Sequence, residues 1–443
     1  MFAIYNQGFI QRLQRSRDRV VAAGASEKME AFLAGFGARL YRNKTLPFPL
    51  LMKKSDFDDL SCATHNVLSA QQKIARHICE KYGKSQLISL LRLPSGLAQF
   101  INWENMFEGN TRIGRMDVVP TAQGYYFCEI NTHSAVGGAE FQAYYDLFAQ
   151  SLDLPGGVPN PSPIEQMSTL YAAICDQHDL ARVVVLDTVA HGSLGYPRQE
   201  LLRQALEQRR PGIEVCFHDE RTYPASWLHR AEGAKTLIHR MFTYHDMTDD
   251  GAFYEALWKS GAWLSNSFEA EARMSKHFLA VLCDPSYHHL LSSDEQAAIR
   301  KYLPPTFMLD ESRLSSALAD KDALVFKIAD AYGGANVLLG DEHSAAALEA
   351  RVREFGVEQW ICQQRLVADT LPLYFPDGPE PVDCQVVLGL YFYNESTSGM
   401  WLRASRTSNV VNLSSATGRA SWAVVVTDEQ KASLMSALRV GER

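Results

Sequence analysis

The sequence predicts a mixed α/β protein (α/β with α+β character), and three observations predict it. Residues 1 to about 110 repeat apolar side chains at three- and four-residue intervals, the period of amphipathic helices. The stretch 115–131 places apolar and β-branched residues on either side of a Thr121-Ala-Gln-Gly124 break, which reads as two short strands around a turn. Between 182 and 242, buried-strand runs alternate with helical patterns, the spacing of a small parallel α/β unit. A chain of 443 residues is long enough for two or three domains with substantial cores.

In order, helical patterns cover 7–23, 26–41 and 70–80. After the hairpin come an amphipathic helix over 139–152 and the breaker Leu154-Pro-Gly-Gly-Val-Pro-Asn-Pro-Ser-Pro163. A helix over 164–177 leads to the strand run Arg182-Val-Val-Val-Leu-Asp187, a helix over 198–209, a strand over 213–218 and a further run over 236–242. No G-x-G-x-x-G follows the first of these strands, and His191-Gly-Ser-Leu-Gly195 is only loosely similar, so a dinucleotide site is a weak reading. Glu358-Gln-Trp-Ile-Cys-Gln363-Gln364-Arg365 reads as a strand. The runs 383–393 and 399–412 read as an antiparallel pair around a turn at 394–399.

Charged residues make up 21% of the chain and hydrophobic ones 46%, the balance of an ordinary globular protein. A net charge of −8 argues against a nucleic acid or a membrane surface as partner, since both favour a basic patch. No apolar run is long enough for a membrane span, and the N-terminus lacks the layout of a signal peptide. The eight cysteines are scattered without a CxxC pair. Reduced core thiols in a cytoplasmic protein are therefore expected, with neither a zinc site nor a disulfide framework.

The chemistry concentrates in the hairpin. Arg115, Asp117, Glu129 and Asn131 alternate along their strands and can share one face. Two carboxylates and an amide oxygen are hard donors suited to Mg²⁺, which binds through one or two carboxylates plus substrate phosphates. A guanidinium beside them would neutralise a phosphoryl group. The bland alternative is a surface Arg–Asp pair of little energetic weight. Downstream, Lys327 emerges from the apolar run Leu324-Val-Phe-Lys-Ile and is followed by Gly333-Gly334. A lysine there needs a partner, and glycines let backbone N–H groups close over phosphate oxygens. Lys276 by itself reads as part of a solvated helix face.

Arg115-Met-Asp117 followed by Glu129-Ile-Asn131-Thr-His133-Ser134-Ala135-Val-Gly-Gly resembles the metal-binding end of ATP-grasp ligases. The wording is most similar to eukaryotic-type glutathione synthetase and glutathionylspermidine synthetase-like enzymes, whose ATP-grasp fold is circularly permuted. The resemblance spans roughly residues 105–425. It implies a helical region with the metal-binding half over 1–160, an inserted α/β substrate lobe over 161–262 and an ATP-binding half over 263–443. It implies ATP and Mg²⁺ as cofactors, with Asp117, Glu129 and Asn131 as metal ligands and Arg115 and Arg403 as catalytic arginines. Lys276 and Lys327 would hold phosphates, Gly333, Gly334 and Asn336 would form the flap, and Gln363 or Gln364 would line the adenine. Arg406 would help bind the nucleotide, and His133, Ser134 and Ala135 would contact the acceptor. The implied activity is ADP-forming carboxylate–amine ligation through an acyl phosphate, on amino-acid or short-peptide substrates. A homodimer is weakly implied.

Two departures stand out. Asp330 lies one residue nearer the lysine than the family's acidic ligand, and the loop after Asn131 is one residue shorter, which leaves the acceptor open. Competing readings are an ATP-grasp phosphotransferase, a nucleotide-binding scaffold without turnover and, more remotely, a dinucleotide oxidoreductase using 182–242.

Overall fold

A computed structural model describes residues 1–15, 24–35, 44–108, 113–132, 137–154, 162–191, 196–247, 251–329, 336–375, 380–394, 396–411, 413 and 417–440. Among these residues the strands form a mixed α/β arrangement of three sheets.

The largest sheet has seven strands in the order Leu50–Lys53, Gly418–Val426, Ser396–Ser405, Val382–Tyr393, Ile113–Pro120 and Tyr125–Asn131, with Thr370–Leu373 also paired to Val382–Tyr393. Gly418–Val426 is buried along its whole length, which suits its run of Ala, Val and Trp. The hairpin of 113–131 thus lies beside strands nearly 300 residues later. The Arg403 strand belongs to this sheet and not to that of Lys327.

Helix Lys54–Tyr82 runs 29 residues, far beyond the 70–80 expected. Its buried stripe passes through Phe57, Leu60, Ala63, Thr64, Val67, Leu68, Gln71, Ile74 and Ile78. Ala63, Thr64 and Gln71 weaken the apolar signal, although all three are buried. The expected helix over 139–152 divides into a 3₁₀ turn, Ala139–Ala143, and the helix Tyr144–Ser151.

The second sheet is the parallel unit expected over 182–242. Glu214–His218, Arg182–Leu186, Thr236–Arg240 and Trp263–Ser265 lie side by side, all parallel. The fourth strand was not read from the sequence. Helix Pro163–Gln177 precedes the unit, capped by Ser162 Oγ accepting from the Glu165 amide at 3.1 Å. Asn266, just past the fourth strand, fastens this unit to the hairpin. Its amide donates to the Ile113 and Thr132 carbonyls and accepts from the Ile113 N–H at 3.2 Å.

The third sheet is antiparallel, in the order Val337–Leu339, Leu324–Ile328, Trp360–Gln364 and Thr306–Met308. Phe326, Ile328, Trp360 and Cys362 pack one face under Leu314, Leu348 and Val352 from helices Glu311–Ala319 and Ala345–Phe355. Alternation along the strands turns Lys327 and Gln363 to the other face, toward the hairpin. Among the described residues no helix is long and apolar enough to cross a membrane. All eight cysteines are free; Cys175, Cys362 and Cys384 are buried, whereas Cys62 is exposed.

Candidate functional site

The hairpin register puts Arg115 opposite Asn131 and Asp117 opposite Glu129. The four side chains therefore lie in two adjacent cross-strand rows of one face. Register shifts by one residue just after Asp117, so that Val118 faces Phe127 and Cys128 is the extra residue of a β-bulge. Thr121 closes the turn: its Oγ accepts from the Gln123 and Gly124 amides.

Asp117 is the centre of the arginine end. Arg115 Nε donates to one carboxylate oxygen at 2.7 Å, and Arg403 Nη2 lies 2.8 Å from the other. Burial raises the Asp117 pKa, but the charges of Arg115 and Arg403 outweigh it and hold the carboxyl down at about 2. Burial likewise works against the Arg115 charge, and Asp117 overcomes it, raising that pKa.

Two residues not singled out from sequence, Trp401 and Gly389, shape this end together with Gly138 of the motif's glycine pair. Trp401 lies under both guanidiniums, 5.1 Å from Arg115 and 5.0 Å from Arg403. Gly389 pairs with Asp117 on one side and Trp401 on the other, and a Cβ there would sit 2.4 Å from Arg115 Cδ. Gly138, at φ +96°, backs the indole ring, where a Cβ would come within 2.3 Å. A lone glycine inside Val-Val-Leu-Gly389-Leu-Tyr-Phe-Tyr signals close approach and could have been flagged.

The lysine end is built differently. Lys276 opens helix Lys276–Cys283 and meets Glu129 at 2.9 Å. Its amide donates to the Ala329 carbonyl at 3.2 Å, clamping this helix to the end of the Lys327 strand. Lys327 is 7% exposed and donates to the Cys128 carbonyl at 3.0 Å and to Gln363 Oε1 at 2.7 Å. Both acceptors are neutral. Burial lowers the Lys327 pKa and Lys276 adds to that, against the pull of Cys128, Glu129 and Asp117. Among the described residues four cationic side chains thus gather around two carboxylates, a surplus of positive charge in a nearly buried place.

Gln363 faces Lys327, while Gln364 is exposed and borders a separate cavity of about 740 Å³ with Pro305, Phe307 and Asp320. Asn336 gives its amide oxygen to Arg351 Nη2 at 2.8 Å. Arg406 lies beyond its strand, 4.9 Å over the Phe375 ring, and does not join Arg403 at Asp117. Asp330, Gly333, Gly334, His133, Ser134 and Ala135 lie outside the described residues. The structure therefore gathers Arg115, Asp117, Glu129, Asn131, Lys276, Lys327, Gln363 and Arg403, and leaves Asn336, Gln364 and Arg406 at its margins.

Three nitrogen atoms of this cluster, Asn131 Nδ2 and Nε and Nη2 of Arg403, are buried with no well-aligned hydrogen-bond partner among the described residues, although Nη2 makes its ion pair with Asp117. Such groups call for a polar ligand. For a hard divalent cation the donor set fits at Glu129 and Asn131, where the carboxylate keeps 24% of its side chain exposed. Asp117 has both oxygens held by arginine. Among the described residues no three His, Cys, Asp or Glu side chains gather as a metal cage, and Mg²⁺ does not need one when phosphates complete its shell.

No family model and no curated protein matches the chain. Among solved structures, it resembles a glutathione synthetase-like effector from Globodera pallida in its apo form. The TM-score is 0.62 over 92% of this chain and 97% of that one. The two share a fold. At 11% identity the likeness extends no further than architecture. It agrees with the resemblance first read from the hairpin: a mixed α/β protein with a glutathione synthetase-like neighbour.

Proposed function

We propose that this chain is an ATP- and Mg²⁺-dependent carboxylate–amine ligase on a circularly permuted ATP-grasp fold, joining amino-acid or short-peptide substrates through an acyl phosphate. The observation that carries the reading is Lys327. A buried ammonium resting on two neutral oxygens, with a third N–H unpaired among the described residues, is stabilised by an arriving anion. A polyphosphate supplies that anion, and the surplus of positive charge favours it further.

Lys327 and Lys276 bind and orient the phosphates from the side of the third sheet. Arg115 and Arg403 are fixed by Asp117 and Trp401 before any ligand arrives, so their charge is preorganised for the oxyanion that develops on the acceptor carbonyl. Mg²⁺ held by Glu129 and Asn131 supplies charge neutralisation for the phosphates. The likeness to a glutathione synthetase-like protein supports the fold on which this reading rests.

A second reading, a nucleotide-binding scaffold without turnover, draws on Asp117, whose two oxygens are already held. One experiment separates the two. The protein is incubated with Mg²⁺ and ATP and with amino acids and dipeptides in pairs; ADP and phosphate are measured, and condensed product is sought by mass. Release of both that requires the pair supports the ligase, and Glu129→Gln should reduce it by about 100-fold while leaving the fold intact. Phosphate retained on a product would mean a kinase. ATP binding without release would favour the scaffold, and absence of ATP binding would end both readings.

A further inference from the structure

The geometry points to a positioning relay behind Lys327: Thr306 fixes the amide of Gln363, and Gln363 in turn aims the lysine at the hairpin. Thr306 and Gln363 are cross-strand partners, and Gln363 reaches diagonally to Lys327 on the next strand. The Thr306 hydroxyl donates its single proton to the Pro304 carbonyl at 2.7 Å. Its oxygen is then left as an acceptor, and Gln363 Nε2 donates to it at 3.0 Å. With its NH₂ spent there, Gln363 presents its oxygen to Lys327. A flipped amide would set NH₂ against the ammonium at 2.7 Å, donor against donor. All three side chains are nearly buried, so water does not substitute for any link. Thr306 touches no proposed ligand. It acts through Gln363.

The relay rests on the nucleotide reading only for its effect on binding; the orientation of Lys327 is a property of the free protein. Two measurements keep these apart. The first is the rate at which an amine-reactive acetyl ester labels Lys327, mapped by peptide mass spectrometry. Thr306→Val and Gln363→Met should each raise it roughly fivefold, because a lost buried hydrogen bond frees the ammonium. Thr306→Ser, which keeps the hydroxyl, should label at the parental rate. In the Gln363→Met background, Thr306→Val should add nothing, since its route to Lys327 is gone. The second is calorimetric affinity for inorganic tripolyphosphate with Mg²⁺. It should fall about tenfold in Thr306→Val and no further in the double variant than in Gln363→Met.

Parental labelling in Thr306→Val, or additive effects in the double variant, would overturn the relay. If Thr306→Val does not fold, Gln363→Met against the parent decides, and unchanged labelling there has the same force. A parent that ignores tripolyphosphate while the labelling pattern holds would remove the nucleotide reading and leave the relay standing.

Discussion

The two ends of one polar face carry their charges in opposite ways. At the arginine end, Asp117 lies between Arg115 and Arg403, each within 2.8 Å, so every charge there touches an opposite one. At the lysine end, Lys327 rests on a backbone carbonyl and a side-chain amide, with no carboxylate in contact among the described residues. The same strands serve both ends: Asp117 adjoins the single bulge whose extra residue is Cys128. Charge matched in the folded protein stabilises it and holds geometry. Charge left unmatched costs stability until a ligand arrives, and so marks where a ligand belongs.

The largest effect should come from breaking the matched end. Asp117→Asn leaves two buried guanidiniums facing each other without their carboxylate and should cost about 3–5 kcal/mol in urea unfolding. The same group sets an acid limb. Its pKa is held at about 2 in the folded protein against an ordinary carboxylate value of 3.8, so between these values the unfolded chain takes up a proton that the folded chain refuses. Stability present above pH 4 is therefore lost as pH falls toward 2. Asp117→Asn should flatten that limb, and an unchanged acid profile would show that the charges at this end are not coupled to folding.

The unmatched end should respond in the other direction. Lys327→Met removes a buried charge that has no carboxylate partner among the described residues, so stability should hold or rise, while Mg²⁺-tripolyphosphate affinity should fall by about 100-fold. Burial lowers the Lys327 pKa below 10.5, so as pH rises toward that value the folded protein has released a proton the unfolded chain still binds. Stability should increase with pH across that window, and Lys327→Met should abolish the increase. A loss of stability comparable to that of Asp117→Asn would erase the contrast between the ends.

How much of this was legible in the sequence follows the same division. Arg115, Asp117, Glu129 and Asn131 lie within 17 residues, and strand alternation is local physics, so their shared face could be read directly. Lys327 stood out because a charge in an apolar strand contradicts its surroundings. Trp401 was not legible as a site residue, and Gly389 was legible only as a point of close approach, because they meet Arg115 only through pairing across more than 270 residues of chain. Thr306 carries no signal of its own; only its partner on the adjacent strand gives it a role. The bulge at Cys128, which turns a carbonyl to Lys327, also depends on register that no local pattern specifies. The resemblance implied a catalytic role for Arg403 and a nucleotide-binding one for Arg406, three residues on. The strand ends at Ser405, so only the first lies in the sheet.

The smallest expected effect tests whether the arginine end is held by shape as well as charge. Gly389 is the one position in its row without a side chain, between Asp117 and Trp401, and the Arg115 stem crosses over it. A methyl there would lie 2.4 Å from Cδ and 3.0 Å from Nε of Arg115, contacts that no rotamer shift of alanine can relieve. Either the sheet gives way or Arg115 moves off the indole and away from Asp117. Overpacking of this kind should cost about 1–3 kcal/mol, less than removing the carboxylate, because the ion pair with Arg403 survives. Gly389→Ala combined with Asp117→Asn should then cost less than the two separately, since the arginine displaced by one has already lost its partner through the other. Additive losses in urea unfolding would mean that Gly389 serves strand packing alone, and that Arg115 reaches Asp117 without needing the space.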